Sequence, residues 1–290
     1  DSNFESFDSF DSFDSFDSFD SFIYLAVLLL LVLLILLFNY YYQNHTYLSI
    51  DHSIFKDMKQ YYINLERSKD RNQNISKILS EQNLYPERYE AVDGKKIDLD
   101  DVQYEKMIHK IKWWFLKDNK KNVGHFGCYL SHMGIYQDFL NSENEYCLIF
   151  EDDIELLTND LKNEIVKNMN HLPKNWNILL LGYEIDEKHK NVKKGNKDTK
   201  LKRGLLNINY FTGTHAYIIN RKTAQILLEN LQELDWILDW NISFLAERGL
   251  LNIYGVFPPL VCQPAVHVIN INDINYQYNC SNKFRTLTNQ

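Results

Sequence analysis

Between Tyr61 and Val256, short apolar runs alternate with amphipathic stretches, and this alternation limits the folds open to the chain more than any other feature. Tyr61–Leu65 reads as a buried strand, Arg71–Asn83 and Tyr129–Asn141 as helices, and Tyr146–Phe150 (YCLIF) as a second strand. A helix over Leu156–Met169 leads to a strand at Asn177–Leu181 (NILLL). Ala216–Asn220 and Thr223–Leu231 then give another strand and helix, before a last strand at Ile253–Val256. Strand, helix and strand in repetition predict a single Rossmann-like α/β domain, with a mostly parallel central sheet and helices on both faces. Ligands of such sheets sit beyond the C-terminal strand ends, so the residues just past each apolar run become the candidates for function.

The remaining sequence divides around that domain. Residues 1–22 carry seven acids and no base, with the triplet DSF repeated five times from Asp8 to Phe22. A like charge at every third position, with no aliphatic residue, predicts a disordered tail; the alternative is a Phe-spaced partner motif. These acids account for most of the net charge of −8, and a nearly neutral body argues against nucleic acid as a partner. Residues 23–38, Ile23 to Phe38, are apolar and uncharged, lack a preceding basic region, and are read as a single transmembrane helix anchoring the chain in a lipid bilayer. Residues 39–60 then form a juxtamembrane stem, 61–268 the catalytic domain and 269–290 a C-terminal tail. Lys56 and Lys59 favour a cytoplasmic body by the positive-inside rule, whereas sequons at Asn44, Asn74, Asn241 and Asn279 favour a lumenal or extracytoplasmic one, which is narrowly preferred. The four cysteines lack the paired short spacing of a structural zinc site, and Cys128 and Cys147 read as small core residues.

Three segments carry chemistry. Glu151, Asp152 and Asp153 follow YCLIF directly; three crowded acids suit a hard divalent cation, Mn²⁺ or Mg²⁺, with a diphosphate completing its ligands. The competing reading has them cap a helix that begins near Leu156. The stretch GHFGCYLSH, Gly124–His132, reads as a Gly-rich turn entering a helix. There Gly127 allows close backbone approach, and Ser131 and His132 either meet a ligand or simply cap and pack. NLERSKDR, Asn64–Arg71, places Arg67 and Arg71 four apart, to hold phosphate or to form a solvated helix start.

These segments together resemble glycosyltransferase family 25. The resemblance rests on YYINLERSKDR, YEAVDG (Tyr89–Gly94), GHFGCYLSHMGIY, YCLIFEDDIEL, GTHAYIINRKTAQILL (Gly213–Leu228) and NIYGVFPPLVCQ (Asn252–Gln263), in that order. It implies a GT-A type fold, a UDP-sugar donor with galactose the expected hexose, and inversion at the anomeric carbon. It also implies that Glu151, Asp152 and Asp153 serve metal and diphosphate, that Asn64, Arg67 and Arg71 lie on the donor side, and that Ser131 and His132 position donor or acceptor.

An inverting transfer needs a carboxylate to take the proton of the acceptor hydroxyl. Asp239, in LDWILDWNI, is the first candidate because it matches the family's Asp before the last strand; Asp235 is the second, and helix-surface acids are the alternative for both. His215 and His267 could complete a metal shell or be structural, with His267 the preferred metal ligand. The basic stretch Lys188–Arg203 reads as a solvated loop or as a lid over a diphosphate. The expected protein is thus a metal-dependent inverting hexosyltransferase acting on a glycan or glycoprotein. Its rivals are a catalytically inactive glycan-binding or structural homologue, and a phosphodiesterase or nucleotidyltransferase using the same acids.

Overall fold

The computed structural model describes residues 23–37, 52–108, 119–184, 204–233 and 235–263. The chain divides into two units, Asp1–Ile50 and Asp51–Gln290. In the first, residues 23–37 form helix α1, whose aliphatic side chains are exposed along its length. A helix of this length rises roughly 22 Å, less than the ~30 Å of a hydrocarbon layer. No helix among the described residues is long and apolar enough to cross a membrane, so the expected span is not shown.

The second unit is built on strands β1 (Met58–Asn64), β2 (Glu87–Glu90), β3 (Tyr146–Glu151), β4 (Glu155–Leu156), β5 (Ile178–Glu184), β6 (Gly204–Asn207), β7 (Thr212–Asn220), β8 (Ile253–Phe257) and β9 (Val261–Cys262). Its helices are α2 (Lys69–Ser80), α3 (Val102–Ile108), α4 (Asn119–Asn141), α5 (Leu161–Met169), α6 (Arg221–Asn230) and α7 (Leu238–Glu247). Seven strands make one sheet in the order β2-β1-β3-β7-β5-β8-β6, while β4 and β9 pair separately.

Alternation along the strands splits the apolar residues between two faces. Tyr61, Ile63, Cys147, Ile149, Tyr217 and Ile219 join a core with Phe126, Tyr136 and Phe139 of α4, Leu227 of α6 and Ile242 of α7. Tyr62, Leu148, Phe150 and Ile218 join the opposite core with Ile75 and Leu79 of α2 and Ile165 of α5. Period-2 strands between 3.6-period helices thus produce the expected α/β layers, with helices on both faces.

Two expectations are corrected. The sheet is mixed rather than mostly parallel: β1–β2, β1–β3 and β5–β8 are parallel, but β3–β7, β5–β7 and β6–β8 are antiparallel. Both β6 and β7 run opposite to β5 and β8, a choice of direction that the period of the apolar pattern does not encode. The helix read from Leu156 starts instead at Leu161, because Glu155 and Leu156 pair with Cys262 and Val261. The three acids therefore cap no helix.

Reversal of β7 has a consequence at the rim. Phe150 pairs with Ala216, so the beginning of β7, Thr212–His215, stands beside the end of β3. Residues before an apolar run, not only those after one, thus reach the edge where β1 and β3 end.

Candidate active site

A cavity of about 240 Å³ opens at this edge, lined by Arg67 and Arg71 past β1, by Asp93 and Lys95 past β2, by Ser131 and His132 of α4, and by Glu151, Asp152 and Asp153. The end of β1 supplies the first anchor. Asn64 is buried; its Nδ2 donates to Asp152 Oδ2 at 2.6 Å, and its Oδ1 accepts from Arg88 Nε at 3.0 Å. Arg71, on the first turn of α2, reaches Asp152 Oδ1 at 2.9 Å and Asp153 Oδ2 at 3.4 Å, with its side chain 55% exposed. Arg67 pairs with Asp93, and that contact holds the Asp93 carboxyl below its usual range.

The GHFGCYLSH segment is helical throughout, contrary to the expected turn. Gly127 does permit close approach, but to the chain's own backbone: a Cβ there would lie 2.5 Å from the Val92 carbonyl oxygen. Ser131 ties the same two segments together, its Oγ accepting from Val92 N at 2.8 Å and donating to Gly127 O at 2.7 Å. His132 is fully buried, with Nδ1 2.7 Å from the Tyr217 hydroxyl and Nε2 3.5 Å from Glu151 Oε1.

The acids differ in their surroundings. Burial works to raise Glu151, but His132, the Thr214 hydroxyl (2.8 Å from Oε1) and His215 outweigh it and hold the carboxyl below its usual value. Burial, followed by the charge of Glu151, raises Asp153. Gln263 Nε2 donates to both, at 3.2 Å to Glu151 Oε2 and 2.9 Å to Asp153 Oδ1. Two carboxylate oxygens thus converge on one small donor. That is the arrangement a hard divalent ion requires, so these residues fit Mn²⁺ or Mg²⁺. Cys128, His132 and Glu151 also bring ligand atoms within 4.8 Å of one another. There, however, burial pushes the thiol well above its usual value, and a protonated sulfur is a poor ligand for a hard ion.

The acceptor-side candidates separate. Asp239 opens α7 and accepts from Gly213 N at 2.8 Å and from Trp240 N at 2.9 Å; burial raises it, the two amides oppose, and Glu151 adds to the rise. Asp235 lines a different cavity, of about 340 Å³, with Glu229, Glu233 and Arg248. His215 is buried against Gly182 and Gly213, and burial pulls it down to about 4, so it is neutral at pH 7. His267 and the Lys188–Arg203 stretch lie outside the described residues. Of the sequons, Asn74 is exposed on α2. Asn241 is buried in α7 with its amide donating to Trp236 O at 2.6 Å, which leaves no nitrogen for a glycan in the folded chain.

Four contributors escaped the sequence reading: Thr212 and Thr214 at the start of β7, Gln263, and Glu184 at the end of β5. Burial and the charge of Asp239 raise Glu184 to about 7, against the Thr212 hydroxyl. Glu184 stands directly past the run NILLLGY, where the strand-end rule would have found it.

An α/β layered domain with an acid-lined cavity at its sheet edge defines a class, and similarity to known proteins narrows it. The family model for glycosyltransferase family 25 (LPS biosynthesis protein) matches residues 57–242. Procollagen galactosyltransferase 2 of Homo sapiens is 27% identical over 173 residues, 58% of this chain and 27% of that protein. A glycosyltransferase 25 family member of Drosophila pseudoobscura pseudoobscura is 35% identical over 118 residues, 38% of this chain and 16% of that protein. The chain belongs to glycosyltransferase family 25. It spans about a quarter of the length of the human, mouse and zebrafish relatives. Among solved structures, a glycosyltransferase involved in glycosylation of the major capsid of PBCV-1 is similar at a TM-score of 0.36 and 11% identity, covering 72% of this chain and 94% of that one. A Drosophila galactosyltransferase 7 variant in complex with manganese, UDP-Gal and xylobiose gives 0.33 and 10%, covering 69% and 65%. Scores this low do not define the fold.

Proposed function

We propose that this chain is a GT-A type, metal-dependent, inverting glycosyltransferase that moves a hexose, galactose by family, from a UDP-sugar to a glycan or glycoprotein acceptor. The observation that carries the reading is the convergence of Glu151 Oε2 and Asp153 Oδ1 on the single amide nitrogen of Gln263, at a cavity with Arg67 and Arg71 on its wall. Glu151 and Asp153 would hold Mn²⁺ or Mg²⁺, with Asp152 and Arg71 fixing the neighbouring charges. When bound, the ion offsets the negative charge that gathers on the departing diphosphate.

The protein's own groups supply the rest. Arg67 and Arg71 offer planar donor forks to phosphate oxygens. Asn64 fixes the direction of Asp152, and Thr214 that of Glu151, so neither carboxylate has to reorganise as charge develops. Beyond Glu151 the carboxylates of Asp239 and Glu184 face the acceptor side, where a proton must be taken from the attacking hydroxyl. We also assign the apolar helix α1 to attachment at a lipid bilayer, with the catalytic unit on the lumenal or extracytoplasmic side. A disulfide at Cys262 supports an oxidising compartment. Recovery of the full chain in an alkaline-washed membrane fraction checks the attachment, and recovery in the wash contradicts it.

The testing experiment incubates the chain with Mn²⁺ and a panel of UDP-sugars and follows UDP release. Release with one sugar, reduced about 100-fold or more in Asp153→Asn, is expected. Absence of release with every sugar would leave an inactive glycan-binding homologue as the better account.

A further inference from the structure

Three consecutive residues at the start of β7 each meet a different acid. Thr212 pairs in register with Glu184 and turns its hydroxyl toward that carboxylate. Gly213, at φ +88°, directs its amide to Asp239 Oδ2 at 2.8 Å, a conformation that favours glycine. The Thr214 hydroxyl donates to Glu151 at 2.8 Å. Glu184, Asp239 and Glu151 therefore form a row along the rim, in the order β5, α7, β3. Arg67 and Arg71 lie beyond its Glu151 end.

The row sets distances. In the sheet order β3-β7-β5, β3 and β5 lie two strand spacings apart, roughly 10 Å, and the register sets Glu184 opposite Thr212, about three residues along β7 from the level of Glu151. An inverting reaction needs a carboxylate separated from the leaving group by the width of a sugar ring plus the attacking oxygen, and inverting glycosidases space their acids at about 6.5–9.5 Å for the same reason. Register shifts between Leu180 and Glu184 break the strand's alternation: Tyr183 joins the same core as Leu180, and Glu184 is left at the rim. Irregularities of this kind re-aim side chains beside active sites.

Two carboxylates could serve there, and their contacts distinguish them. Both oxygens of Asp239 already accept backbone amides, which hold that carboxylate in place and occupy the lone pairs that would face an acceptor hydroxyl. Glu184 accepts no backbone amide among the described contacts, and Asp239 is the ionisable neighbour whose charge acts on it. We infer that Glu184 is the catalytic base on the acceptor side, with Asp239 a positioning residue beside it. This deepens the proposed transfer reaction and rests on it. The acceptor O–H bond breaks and its proton passes to a Glu184 oxygen, while the acceptor oxygen bonds to the anomeric carbon. The bond from that carbon to the diphosphate breaks, and its electron pair leaves on UDP. The retained proton is then released to solvent.

The test measures UDP release from UDP-galactose with Mn²⁺ between pH 5 and 9, with water as acceptor, for the full chain and for Glu184→Gln and Glu184→Asp. The wild type is expected to lose rate below a midpoint of about 7, matching the raised Glu184. Glu184→Gln should lower kcat about 100-fold or more and erase that acidic limb, with KM for UDP-galactose and the thermal midpoint at pH 5 changed little. Glu184→Asp should restore part of the rate and keep an acidic limb. An active Glu184→Gln that keeps the wild-type pH profile overturns the assignment, as does loss of the limb in Asp239→Asn alone. A wild type that releases no UDP from any UDP-sugar overturns the transfer reading itself, a result distinct from either.

Discussion

Gln263 donates one amide nitrogen to two carboxylates, and its removal separates the roles of those acids. In Gln263→Ala, Glu151 and Asp153 lose their shared donor, and their mutual repulsion rises in a site where burial already raises Asp153. Mn²⁺ should then bind at least as well as in wild type by calorimetry; a tenfold loss would mean that the amide is part of the ion's site. Glu184 makes a second prediction with a definite sign. Its carboxyl is raised from 4.5 to about 7 in the fold, so between those values the folded chain holds a proton that the unfolded chain has released. Stability therefore falls as pH rises through that window, by roughly 1–2 kcal/mol once solvent screening is allowed for. Glu184→Gln should remove this slope in urea titrations at pH 5 and 8, and an unchanged slope would contradict it. Glu151–Asp153 were legible because three acids follow an apolar run without interruption. Glu184 follows one too, but as a single acid behind Gly182 and Tyr183 it carries no comparable signal.

At the scale of elements, the reversal of β7 decides which residues meet. Periodicity reports a strand but not its direction, so Thr212 and Thr214, which precede the apolar run, carried no mark of function. The same holds for α4, where Gly124 and Gly127 suggested a turn although the helix runs through both. Gly127 is there because α4 packs directly on the segment from Val92 to Gly94. In Gly127→Ala the new Cβ would stand 2.5 Å from the Val92 oxygen and 2.8 Å from Gly94 N, both backbone atoms with little room to yield. The expected cost is roughly 1–3 kcal/mol, measurable as a lower denaturation midpoint. It should come with weaker UDP binding, because Asp93 and Lys95 of the displaced segment line the cavity. An Ala variant as stable as wild type would mean that the helix and this segment do not pack as described.

For the molecule as a whole, the layered α/β architecture was legible, since alternating periods of 2 and 3.6 leave few other ways to bury both sheet faces. The mixed strand order was not, because pairing partners depend on connections that the pattern does not encode. The two cores also predict where stability resides. Leu79, fully buried in the core that α2 and α5 share, should cost roughly 2–5 kcal/mol as Leu79→Ala while leaving Mn²⁺-dependent UDP binding unchanged in the folded fraction. In the proposed reaction Glu151 and Asp153 hold a divalent ion that in turn holds the nucleotide. Calorimetric titration of UDP into the full chain tests it most directly. Binding should need Mn²⁺ and weaken at least about tenfold in Asp153→Asn, whereas equal affinity with and without Mn²⁺, or an unaffected variant, would rule out a metal held by these two acids.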